Sequence, residues 1–211
     1  MSPALRPLLL VLVLTIIAAT VRPAAPRVAV TGTSAPTAAS RAQTFTFDGV
    51  AAGDQRSILA AVARAAPEAR RLIDAVAGLS TVRVGKVGPT AAGATRSSAL
   101  GYDLMLDLDG VARALGPRGI DRLVLHELGH VVDHALVSDA MLASLDAGIP
   151  AGYGCDGGRL GACAQPAERF AESFAKWAMD DIGVNLDLGY KVPPPALPLG
   201  VWAAPLAQLA R

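Results

Sequence analysis

At 211 residues, with 19 basic and 18 acidic side chains, the chain has room for one modest domain with extended ends. Its +1 net charge, with both signs interspersed, excludes an electrostatic nucleic-acid binder. Aromatic residues are only 4% of the total, so the core must rest on Ala, Leu and Val, and part of the 52% hydrophobic content belongs to the N-terminal leader.

Residues 1–21 read as a signal peptide or signal anchor. Arg6 supplies the positive start, Leu8 to Ile17 is apolar apart from Thr15, and the small residues Ala18 and Ala19 follow. The uncharged stretch between Arg6 and Arg22 is shorter than the roughly 20 residues of a spanning helix. No A-x-A cleavage site stands there, so the chain is expected to be secreted, or anchored on the outer face of the membrane through an uncleaved N-terminal segment. Residues 22–43, rich in Pro, Ala, Ser and Thr without periodicity, read as a flexible linker.

A domain is expected over residues 44–190. Asp54 can cap a helix that carries Ile58, Leu59 and Val62 inward, and Pro67 suits the first turn of a second helix that Gly78 can end. Thr81 to Val87 alternates apolar and charged residues and reads as a half-buried strand, and Gly88 to Thr95 reads as a loop. Ser97 to Leu108 alternates again, with Leu104, Leu106 and Leu108 on one face; fold analogy alone, not the alternation, makes it an expected edge for an extended peptide. Two strands leading into helices predict an α+β arrangement.

The segment from Ile120 to Val137 holds all 3 histidines and the pattern H-E-x-x-H at His126, Glu127 and His130. One helical turn separates His126 from His130, so both imidazoles leave one face about 6 Å apart along the axis. Their nitrogens can converge on one Zn²⁺, while Glu127, turned about 100° away, is placed to act on water rather than to bind the ion. Ser138 can cap a short helix ending near Gly148, and the loop from Ile149 to Gln165 carries Cys155 and Cys163. Those cysteines are spaced too widely for C-x-x-C chemistry; a disulfide between them in an exported protein would contribute roughly 2–3 kcal/mol in the chain-entropy model. Pro166 opens a helix whose Phe170, Phe174 and Trp177 form a core stripe, and residues 191–211 read as a Pro-rich tail.

A catalytic zinc takes three protein ligands. His134 lies about 12 Å along the axis from His126, too far for the same ion. Asp133 fails as a ligand for a similar reason but is placed to support the site from behind. Glu168 and Glu172, spaced i, i+4 on the later helix, are the best source: one can bind the metal while the other accepts the free N–H of a ligating histidine.

HELGHVVDH followed by PAERFAESFA resembles the gluzincin metallopeptidases, in which H-E-x-x-H is completed by a glutamate in an E-x-x-x-D/E helix. Within that group it is most similar to the lethal-factor-type catalytic domains, whose second motif runs A-E-[aromatic]-F-A-E-x-F. The similarity covers roughly Asp103 to Met179, and Arg169 stands where the family usually has an aromatic residue. The resemblance implies a zincin-like fold, a small sheet packed on an active-site helix with a second helical lobe. It makes His126, His130 and Glu168 the zinc ligands, Glu127 the general base and Glu172 the partner that orients His126. A family tyrosine that supports the oxyanion corresponds at best to Tyr153, farther upstream of Glu168 than the family pattern has it. The aspartate-ligand alternative needs a G-T-x-D stretch after the helix, and none is present. The expected activity is peptide-bond hydrolysis on a peptide or protein substrate; the alternative is an inert zinc-binding or structural module of the cell envelope.

Overall fold

The computed structural model describes residues 44–88, 91–150, 165–182 and 192–210. The order of elements is β1 (Thr46–Phe47), α1 (Ala52–Arg64), α2 (Pro67–Val76), a 3₁₀ turn (Ala77–Leu79), β2 (Ser80–Val84), β3 (Gly93–Ser98), β4 (Gly101–Leu106), α3 (Leu108–Leu136), α4 (Asp139–Ala147), α5 (Pro166–Met179), α6 (Leu199–Trp202) and α7 (Ala204–Leu209). It is a mixed α/β arrangement of one small four-stranded sheet and mostly helices.

The sheet has the order β1-β2-β4-β3, with β1, β2 and β4 parallel and β3 antiparallel to β4. The alternation read over Ser97 to Leu108 belongs to a hairpin rather than to one strand. A turn at Ala99 and Leu100 divides it, and Gly93 to Thr95, expected as loop, pairs in register so that Thr95 faces Leu104. The edge expected within Ser97 to Leu108 therefore moves: β4 is paired on both sides, and β3 and β1 are the two edge strands. The strand expected over Thr81 to Val87 ends at Val84. Tyr102, Leu104 and Leu106 turn inward from β4 while Asp103 and Met105 are half-buried, which is the period-two pattern of a sheet covered on one face.

Helix α1 starts two residues before Asp54, which sits in the first turn and acts on the helix dipole rather than as a cap. Ile58 and Val62 are buried as expected, but Leu59 is 46% exposed, because it lies off the stripe that Ile58, Ala61 and Val62 define. Asp107 caps α3, its Oδ1 accepting the Gly110 N–H at 2.8 Å. The helix breaks at Gly116, whose φ of 67° and ψ of −164° only glycine adopts readily, and Pro117 then suits a fresh first turn. The break lets the sheet feed into α3 at one angle while Ile120 onward runs at another. Ser138 caps α4 by accepting the Met141 N–H.

Helices α3 and α5 form the main helix–helix contact. Phe170 and Phe174 are wholly buried and Trp177 nearly so; a side chain of this kind contributes about 1.5–3 kcal/mol by leaving water. Gly129, inside H-E-L-G-H, is where the two backbones meet: a Cβ there would stand 3.1 Å from Ala171 Cα and 3.2 Å from Phe174 Cδ1. The prolines of residues 191–211 do not leave an unstructured tail. Val192, Trp202, Ala203 and Leu206 are buried in the core that the sheet and α1–α5 share, and Trp202 donates its indole N–H to the Leu145 carbonyl at 3.0 Å. Proline at the start of short helices ends one element and begins the next without removing a needed donor, so Pro198 and Pro205 act as punctuation. The packed domain therefore runs past residue 190.

Candidate metal centre

The second half of α3 and the start of α5 lie side by side, and each contributes a row of residues at four-residue spacing. Arg122, His126 and His130 form one row; Glu168, Glu172 and Lys176 form the other. Side chains i and i+4 share a helix face, so two such rows, packed against each other, bring their polar groups together in a ladder.

At one end, the Nε2 atoms of His126 and His130 face one oxygen of Glu168, at 3.2 and 3.4 Å. Donor atoms of these three residues lie within 4.8 Å of one another, and the imidazoles meet nearly edge-on with centroids 5.0 Å apart. Both histidines are buried and Glu168 is partly open to solvent. Two imidazole nitrogens and a carboxylate oxygen are a donor set compatible with zinc. The test of fit is on the far side of the ring: His126 Nδ1 lies 3.2 Å from Glu172 Oε2, so the Nδ1–H donates there and Nε2 is the nitrogen left for a metal. The group can therefore hold a metal ion.

Glu127 lies beside this cluster without joining it. Its Oε2 accepts from Thr95 Oγ1 at 2.7 Å, and the same hydroxyl lies 3.1 Å from the Glu127 carbonyl. Gly93, two residues earlier on β3, packs flat on the side chain: a Cβ there would overlap the carboxylate, with Glu127 Cδ at 2.7 Å. The edge strand thus fixes the rotamer of the one acidic residue in H-E-x-x-H that is not a donor to the cluster. Two outcomes are expected if Glu127 is the general base that the resemblance implies. Thr95→Val should lower kcat by roughly 10–100-fold, the value of a hydrogen bond to a charged group, and leave KM and metal content unchanged. Gly93→Ala should keep the metal and cost about 100-fold in kcat, since it forces the carboxylate aside by a large fraction of an ångström. Steady-state kinetics with metal analysis checks both.

Charges in the ladder perturb one another. Burial would lower the His126 pKa, but the hydrogen bonds to Glu168 and Glu172 and the nearby carboxylate charges raise it from 6.5 to about 10. Burial would raise Glu172, yet His126 and the Arg122 guanidinium lower it from 4.5 to about 2, and contacts with both histidines hold Glu168 well below the usual carboxylate range against its own burial. Desolvation lowers Lys176, with Glu172 opposing.

In metal-free protein, His126 therefore adds stability that is complete below pH 6.5 and lost as pH rises through about 10. Glu172 adds stability present above pH 4.5 and lost as pH falls through about 2. Their joint contribution is greatest between pH 4.5 and 6.5, which thermal melts of metal-free protein across pH would reveal. A metal competes with the proton on His126 Nε2, so binding at pH 7 should release close to one proton from this residue and tighten as pH rises. Calorimetry in buffers of differing ionisation enthalpy measures that number; no release would contradict the pairing described.

Of the other residues singled out from sequence, His134 stacks near Tyr102, with centroids 6.1 Å apart, away from the cluster. Asp133 is wholly buried one turn beyond His130. Tyr153, Cys155 and Cys163 lie outside the described residues. Arg169 pins the end of α4 by donating to the Asp146 side chain and to the carbonyls of Asp146 and Ile149. Sequence reasoning missed Arg122, Lys176, Thr95 and Gly93. The first two carried a signal, being one turn before His126 and one turn after Glu172 on the same rows. Thr95 and Gly93 carried none, because only the β3–β4 register brings them to Glu127.

Searches against family models, curated proteins and solved structures returned no match to this chain. Among the described residues, no helix is long and apolar enough to cross a membrane.

Proposed function

We propose that this protein is an exported zinc-dependent endopeptidase of gluzincin type with a zincin-like fold. His126, His130 and Glu168 would hold the ion and Glu127 would serve as general base. The observation that carries the reading is the convergence of His126 Nε2, His130 Nε2 and Glu168 Oε2, with Glu172 fixing the far side of His126. Zinc in this donor set would supply Lewis acidity, the property that makes water nucleophilic near neutral pH. Glu127 would accept the proton of the attacking water and return it to the departing amine. Thr95 and Gly93 keep the carboxylate in one rotamer for both transfers. Strand β3, at one edge of the sheet and in contact with Glu127 through Thr95, offers the edge to which an extended peptide would add, with main-chain hydrogen bonds supplying affinity independent of side chain.

Metal analysis of protein purified without added metal, followed by hydrolysis of an unfolded protein substrate with and without chelator, tests the reading. One zinc per chain and chelator-sensitive, zinc-restored cleavage are expected; a protein that binds no zinc, or cleaves equally well without it, refutes it. Export and anchoring rest on residues 1–21 and are tested by fractionating cells that express the full chain.

A further inference from the structure

Behind the metal donors lies a buried arrangement of charge that hydrolysis as described does not use. The Arg122 side chain is wholly buried, and its Nε and Nη2 both donate to Oε1 of Glu172, at 3.2 and 2.6 Å. Its Nη1 reaches the Asp181 carbonyl at 3.3 Å, at the end of α5. Lys176 places Nζ 3.3 Å from the same Glu172 oxygen and donates to the Val192 carbonyl at 2.5 Å. Arg122 and Lys176 thus both fall on Oε1, and Oε2 is left to His126 Nδ1.

We infer that Arg122 is a positioning residue of the metal centre, acting on His126 through Glu172. The inference rests on the metal-binding reading of His126, His130 and Glu168, but not on peptide hydrolysis. Its physical basis is that a buried ion pair is seldom retained for stability, since apolar side chains of equal volume serve as well or better. What the guanidinium adds is direction. Two N–H groups of one rigid plane on a single oxygen fix the rotation of the carboxylate, which a lysine, a point charge on a flexible stem, does not do. Fixed in this way, with Oε1 filled by Arg122 and Lys176, Glu172 turns Oε2 to His126 Nδ1 and leaves Nε2 facing the donor cluster. The chain Arg122–Glu172–His126 runs from the Asp181 backbone to the donor cluster; the Arg122–Glu172 and Glu172–His126 links are buried and the Asp181 link is partly buried.

A double-mutant cycle on zinc affinity, read by competition with a chromophoric chelator, tests this in the full chain. Arg122→Met and Glu172→Gln should each weaken zinc by about 10–100-fold, and the double variant should be no weaker than the weaker single, because Arg122 has no route to the metal once Glu172 is changed. Leu72→Ala, a core truncation on α2, should lower the melting temperature and leave zinc affinity unchanged, which separates orientation from general loosening. If Arg122→Met fails to fold, Arg122→Lys replaces it: the buried charge is kept and the fork is lost, and the same weakening is expected. In zinc-loaded protein carrying ¹⁵N-histidine, the wild type should show His126 with a protonated Nδ1, and the Arg122 variant a mixture. Multiplicative losses in the double variant, or an Arg122 variant that binds zinc like wild type, overturn the positioning role while leaving the metal site standing. Wild-type protein that takes up no zinc overturns the metal reading and this role with it.

Discussion

Glu127→Gln is expected to retain the fold and one zinc per chain while lowering kcat by roughly 10²–10⁴-fold, with KM little changed. The substitution keeps size and shape, so the packing of Gly93 against the side chain survives, and Thr95 still finds an oxygen to which it can donate. What disappears is the ability to accept a proton. Because Glu127 is no part of the His126–His130–Glu168 cluster, metal binding has no reason to follow activity downward. Zinc loss in this variant would mean that Glu127 is a ligand, and near-normal kcat would mean that it is not the base.

Glu168→Ala is expected to lose most of the bound zinc, Glu172→Ala to bind it about 10–100-fold more weakly, and His134→Ala to keep full stoichiometry. The three differ in place, not in chemical suitability. Glu168 presents one oxygen to both Nε2 atoms, Glu172 stands behind His126, and His134 lies two turns along α3 beside Tyr102. A rigid helix cannot bend His134 back to the cluster, whereas α5 approaches it from a separate element through the gap that Gly129 leaves. Equilibrium dialysis with metal analysis ranks the variants. An empty site in His134→Ala with a loaded Glu168→Ala would reverse the assignment of donors.

The cluster was legible because its signal is local. Spacing on one helix puts His126 and His130 together, spacing on another puts Glu168 and Glu172 together, and the aromatic stripe of Phe170, Phe174 and Trp177 tells which side of α5 turns to the core. The helix starts at Pro67, Ser138 and Pro166 were legible for the same reason, since caps and proline act within one turn. The hairpin was misread because the alternation over Ser97 to Leu108 continues in phase through the turn at Ala99 and Leu100, and period two alone does not reveal a reversal of direction. The small residues of Gly93 to Ser98 hid a strand whose value lies in closeness to Glu127, a property of register. The C-terminal segment reads only as a Pro-rich tail although Pro198 and Pro205 stand at helix starts, because the burial of Trp202 and Leu206 depends on surfaces distant in sequence. Arg122 and Lys176 went unnoticed because charged helix positions are ordinarily solvated, and only packing α3 against α5 turns them inward.

The most direct measurement is a digest of a randomised peptide library by zinc-loaded wild-type protein and zinc-loaded Glu127→Gln in parallel, with new amino termini counted. Cleavage by the wild type that a chelator abolishes and added zinc restores, with at least a hundredfold less in Glu127→Gln, is the predicted result. Full zinc occupancy in both proteins with no new termini from either would contradict a peptidase and leave a metal-binding module in its place.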